Sequence, residues 1–202
     1  MFALKIAALI IWIYSIWVLS RTELHFFKFC LGSVGLFFFL MFWVEPLVEQ
    51  PLSMVVCAVA GVFGDLFNMY DSYYQYSILF IPKDTSSVSL SIDYECSGVI
   101  EIMAFSCMLW FFPLYNTIEK LIVNCIGIAT IFFANVLRIF VICTLIYFYG
   151  NSIFYFAHTI FGRIIFYFIS IVLYFYVFTR SQVIRQKVGN FNYGSGSSNS
   201  IK

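Results

Sequence analysis

The sequence predicts an all-α protein: a bundle of about six membrane-spanning helices, with one short outer-face loop that forms a small strand. Three observations carry this reading. The 202 residues are 62% hydrophobic and 22% aromatic, with only 10% charged, a balance outside the range of water-soluble domains. The apolar residues gather into repeated long runs, and in lipid such a run satisfies its own backbone hydrogen bonds as a helix. The runs do not alternate apolar with polar residues, as the strands of a membrane barrel would. With a net charge of +1, nothing points to nucleic acid.

The first run, residues 2–19, carries Lys5 at its start. It has no small-residue cleavage site after its apolar core, so a retained helix is expected rather than a signal peptide. Arg21, Glu23, His25 and Lys28 form a polar connection, with His25 read as a solvated residue. The second run, 29–44, is closed by Glu45-Pro46 and Gln50-Pro51, read as a tight turn. The third, 52–67, is weaker and interrupted by Gly61 and Gly64.

From residue 68 to 95 the character changes: Asp71, Lys83, Asp84, Ser86, Asp93 and Glu95 belong in water or at the interface. Ser87-Val88-Ser89-Leu90-Ser91-Ile92-Asp93 alternates polar with apolar and predicts a short strand over the bundle. Tyr70, Tyr73, Tyr74 and Tyr76 read as an interfacial aromatic belt. The fourth run, 98–112, ends at Pro113, and a turn holding Glu119 and Lys120 leads into residues 121–149. As one helix that stretch measures about 43 Å against a hydrocarbon core of about 30 Å, so it tilts, breaks or projects. After the break at Gly150-Asn151-Ser152, residues 157–178 form the sixth span. Residues 1–188 then make one integral-membrane domain, with its core motifs within 90–170. Residues 189–202, rich in Gly, Ser and Asn, read as a disordered cytoplasmic tail.

Six spans put both termini on one side, with Lys5, Lys120, Arg180, Arg185, Lys187 and Lys202, against Arg21, Lys28 and Lys83 on the other. The excess of cations marks the cytoplasmic side. Both termini are therefore expected in the cytoplasm, and Cys96, the 68–95 loop and His158 are expected to face outward.

Three chemically able side chains fall on separate segments of that outer half. Cys96, followed by Ser97-Gly98, stands in a polar setting at the mouth of the fourth run. Cys30, Cys57, Cys107, Cys125 and Cys143 sit inside apolar runs, where a cysteine acts as a small hydrophobe. A helix N-terminus and a nearby cation both favour the nucleophilic thiolate. Arg138 lies within the fifth run, where a charge is costly and marks function more often than not. It suits the holding of an oxyanion, and the plainer reading is a structural pair with Glu101. His158 opens the sixth span and suits acid–base work. Asn135 shares a helix face with Arg138 and is placed to orient it or to bind substrate backbone. Gly162 and Phe166 follow His158 at one-turn spacing, the glycine admitting a close helix. Glu101 and Arg163 are read as an ion pair or supports. With two histidines and no HExxH, no metal site and no cofactor is expected.

Cys96-Ser97-Gly98, then Asn135-x-x-Arg138-Ile139, then His158-x-x-x-Gly162-x-x-x-Phe166, in this order on successive spans, resembles the exosortase/archaeosortase family, and most of all its compact Gram-positive G-type members. The resemblance implies an integral-membrane cysteine transpeptidase or protease, with Cys96, Arg138 and His158 as its catalytic triad. It implies substrate proteins that end in a recognition motif, a transmembrane helix and a basic cytoplasmic end. Cys96 would cleave the chain as a thioester and pass it to an acceptor, which the sequence does not name. A non-catalytic scaffold or small transporter would use Arg138, Glu101 and Arg163 without needing the Cys96 thiol. A thiol-redox protein is a poor fit, because Cys107 lies about 16 Å from Cys96 along a helix axis.

Overall fold

The computed structural model describes residues 2–22, 24–82, 87–92 and 94–183. The expected tail at 189–202, and Lys83, Asp84, Ser86, Asp93, Arg185 and Lys187, lie outside these. The described chain is a helical membrane bundle with one small sheet. In order it runs α1 (Phe2–Arg21), α2 (His25–Trp43), α3 (Glu45–Phe67), β1 (Asp71–Tyr73), β2 (Ile78–Ile81), β3 (Val88–Ser91), α4 (Tyr94–Ser97), α5 (Val99–Phe111), α6 (Thr117–Tyr149) and α7 (Gly162–Tyr174). Helical winding flanks α7 on both sides, at Phe156–Phe161 and Phe175–Thr179. Four helical stretches are long and apolar enough to cross a membrane: His25–Trp43, Glu45–Phe67, Thr117–Tyr149 and Phe156–Val183.

Several boundaries differ from the sequence reading. Glu45-Pro46 through Pro51 is not a turn; α3 begins at Glu45, with only Val44 separating it from α2. Pro46 falls in the first helical turn, where the missing N–H has no ladder partner to lose. Pro51 is carried inside the helix. Glu119 and Lys120 belong to the first turn of α6, which Glu119 closes by accepting the Asn116 backbone N–H at 3.1 Å. The expected strand is present as β3, but it is the edge of a three-stranded antiparallel sheet ordered β1-β2-β3. Tyr70 is not in an interfacial belt. It is buried and donates its hydroxyl to Ala60 O at 2.6 Å, and burial pushes its phenol above the usual tyrosine range. Tyr73, Tyr74 and Tyr76 are exposed.

The core divides into two clusters along α6. In the first, Phe105 and Leu109 of α5 meet Ile131 and Ala134 of α6 and Phe166 and Leu173 of α7. Gly127 makes room there, since a Cβ at that position would overlap the Phe105 ring. In the second, Ile139, Ile142, Cys143 and Ile146 of α6 meet Val56, Cys57 and Ala60 of α3 and Leu79, Ile81 and Leu90 of the sheet. So α6 does not break. It runs unbroken for 33 residues, about 50 Å, and its last third projects into a cap made by α3 and the sheet.

The path of the chain explains the cap. Lys28 Nζ donates to Ser20 Oγ at 3.1 Å, and the Phe29 ring lies 6.2 Å from Phe112. Phe112 lies 5.0 Å from Phe178, and Tyr115 donates to Val177 O at 2.6 Å. The α1–α2 junction, the α5–α6 junction and the end of the chain's last helix therefore share one end of the bundle. Lys5 sits over the Phe42 ring at 5.4 Å, at the opposite end. There α3 starts, and near its C-terminal end the Phe63 and Phe67 rings lie 5.7 and 5.6 Å from Phe140, beyond Arg138 on α6.

Candidate active site

β3 leads in a few residues to α4, which carries Cys96 and Ser97, and Gly98 separates α4 from α5. Gly98 has φ +80°, a left-handed backbone that favours glycine. A Cβ there would stand 3.4 Å from Asn135 Nδ2. The break turns Cys96 toward α6 while α5 continues down the bundle. The Cys96 residue is 6% exposed and Ser97 is fully buried, its Oγ accepting the Val99 N–H at 3.4 Å.

α6 presents Asn135 and Arg138 to that break. They lie three residues apart on one helix face, and both are buried, Arg138 being only 4% exposed. Asn135 donates through Nδ2 to the Cys96 carbonyl. It thus holds the cysteine segment and not, as the sequence suggested first, the arginine. Its Oδ1 is buried and accepts no hydrogen bond among the described residues. Arg138 Nη2 lies 3.6 Å from Cys96 Sγ, close enough for the fixed cation to stabilise negative charge on sulfur.

The third group arrives from the far side of the Gly150 turn. Gly150 has φ +78° and ends α6, and a short 3-10 turn at Asn151–Ile153 follows. Residues Phe156–Phe161 then wind as a π-helix, a rare form that concentrates at functional sites. His158 lies in it, with Nε2 3.3 Å from Cys96 Sγ. A proton can pass directly between thiol and imidazole at that separation. The Phe154 ring stacks on the imidazole, 5.8 Å between centroids and 2° from parallel.

Of the residues picked out from the sequence, Cys96, Asn135, Arg138 and His158 converge, with Gly98 against Asn135. Gly162 acts one step away: a Cβ there would come within 2.7 Å of Ile142 Cδ1, so the glycine lets the His158 helix close on α6. Phe166 is buried in the lower core beside Phe105, Ile131 and Ala134. Glu101 sits in the first turn of α5, and its buried Oε2 makes no hydrogen bond among the described residues. Arg163 is exposed. Phe154 was missed; the signal for it, an aromatic residue four positions before His158, is weak in a chain so rich in aromatics.

The family model described as transmembrane exosortase matches residues 1–176. No curated protein and no solved structure matches the chain.

Proposed function

The chain belongs to the transmembrane exosortase family, and from that premise we propose that it is a membrane transpeptidase with Cys96 as nucleophile. Membership implies a cysteine transpeptidase or protease kind of enzyme acting on proteins with sorting signals. One observation carries the finer reading: Cys96, Arg138 and His158, from three separate elements, meet within 3.3 and 3.6 Å of the sulfur.

In this reading His158 Nε2 takes the thiol proton as Cys96 Sγ bonds to the carbonyl carbon of the scissile peptide. The electron pair of the C=O bond moves onto oxygen, and Arg138 stabilises that oxyanion. As the carbonyl re-forms, the C–N bond breaks and His158 returns the proton to the leaving amine. The thioester on Cys96 is then attacked by an acceptor amine, hydroxyl or water, whose proton passes through His158 to restore the thiol. Asn135 positions the cysteine through its carbonyl and offers Oδ1 to a substrate N–H.

The site is proposed to face outward. Arg21, Lys28, Lys120 and Arg180 gather at the far end of the bundle, whereas Glu45, Glu49 and Asp71 border the cap. An excess of cations favours the cytoplasmic side. On α6, Lys120 and Arg138 are separated by about 27 Å of helix, close to a hydrocarbon core of about 30 Å. In this reading α1 starts at the outer face.

The test is intact mass of exported proteins from cells carrying wild-type chain or Cys96→Ala. A protein that keeps its C-terminal helix only in the mutant supports the reading, and its wild-type product mass separates hydrolysis from transfer. If no protein changes and the mutant restores every phenotype of a deletion, Cys96 is not a nucleophile and a scaffold role leads.

A further inference from the structure

A cleft of about 440 Å³ opens between the first half of α3, the β1–β2 connection and the end of β3. Glu49, Gln50 and Ser53 border it on one side, Gln75 and Ser91 on the other, so its wall is rich in hydrogen-bonding groups. Two grooves of the bundle have a different chemistry. The one between α2 and α5 is lined by Phe29, Phe37 and Ala104, and that between α5 and the last helix by Met108, Tyr167 and Phe178. Those suit lipid or an apolar helix; the polar cleft suits a solvated chain.

Two relations tie the cleft to Cys96. Ile92 lines it and shares one buried cluster with Cys96. Ile92 and Cys96 are four positions apart, at most about 14 Å of extended chain, and α4 packs on α3, the wall of the cleft. The cleft belongs to the cap and not to the bundle. A substrate whose following segment enters the membrane therefore reaches it with the residues that come before the scissile bond. Among the described lining residues Glu49 is the only charged one.

We infer that this cleft binds the extended segment preceding the scissile bond, and that Glu49 selects there for neutral polar or basic side chains and against acidic ones. The inference rests on the reading of Cys96 as the nucleophile. The hydroxyls and amides of the wall pair with peptide groups and polar side chains, while a carboxylate brought beside Glu49 meets like charge in a partly desolvated space.

The experiment uses the full chain carrying Cys96→Ala in lipid nanodiscs, so that binding is read without turnover. The probe is a library of fusion proteins, each ending in a short randomised segment, an apolar helix and a basic end. The retained pool is expected to be depleted about tenfold in Asp and Glu within the randomised segment, a preference that like-charge repulsion of this order produces. Adding Glu49→Gln removes the depletion, and Glu49→Lys inverts it. A pool that keeps Asp and Glu at their input frequency, a pool unchanged by Glu49→Lys, or no retention at all overturns the inference. Release of fusions by the wild-type chain reports separately on catalysis. Release that persists in Cys96→Ala sinks the nucleophile reading, while the retained pool still decides the cleft.

Discussion

Cys96 Sγ lies 3.3 Å from His158 Nε2, although 62 residues separate the two in the chain. The thiol is supplied by the break before α5 and the imidazole by the π-wound start of the last helix. If that contact is the proton path, His158→Ala slows substrate processing by between about 100-fold and 10,000-fold, the usual worth of a positioned acid–base group. Cys96→Ala abolishes it. The check is the precursor-to-product ratio by mass, normalised to the amount of chain in the membrane. A His158→Ala chain that processes at the wild-type rate refutes the assignment.

Arg138 tests charge against shape. Lysine keeps the cation but loses the planar fork and the second donor. Arg138→Lys is expected to insert normally and to lose about 100-fold to 1,000-fold in processing, comparable to removal of one oxyanion donor. Equal processing by Arg138→Lys and wild type would reduce Arg138 to a structural cation.

Asn135 makes a different prediction, because its donor goes to the Cys96 carbonyl and not to the sulfur. Asn135→Leu leaves that buried carbonyl without its donor, at a cost of about 1–3 kcal/mol. Thermal unfolding in detergent should show the loss. The rate of Cys96 alkylation should also change, since the segment bearing the thiol is no longer held. Unchanged alkylation with lowered stability would mean that Asn135 supports the fold alone.

We propose that both ends of α3 lie on the outer side, and a labelling pattern tests it. A membrane-impermeant maleimide applied to intact cells should modify Glu45→Cys and Asp71→Cys, and should reach Thr22→Cys and Asn116→Cys only after lysis. The background is the same chain without the added cysteine. A Thr22→Cys that labels from outside as fast as Asp71→Cys would restore a sixth crossing through α3 and reverse the N-terminus.

By itself the sequence determined the class and singled out the candidate site residues. Apolar runs of helix length have one low-cost backbone solution in lipid, so the bundle was legible from composition and spacing. Buried or polar-flanked Cys96, Arg138 and His158 were legible because such groups are costly in apolar surroundings and so stand out. Even the strand at Val88–Ser91 showed in its alternation. Tertiary structure alone decided how the elements lie against one another. α3 has the length and hydropathy of a span, and nothing local distinguishes a crossing from a return. Its packing on Phe140 and the sheet is set by residues far along the chain. The π-winding around His158, the left-handed turn at Gly98 and the grip of Asn135 on the Cys96 carbonyl were likewise beyond the sequence. Each exists because residues far apart in the chain meet, and side-chain contact over such separations leaves no period or spacing in the sequence to read.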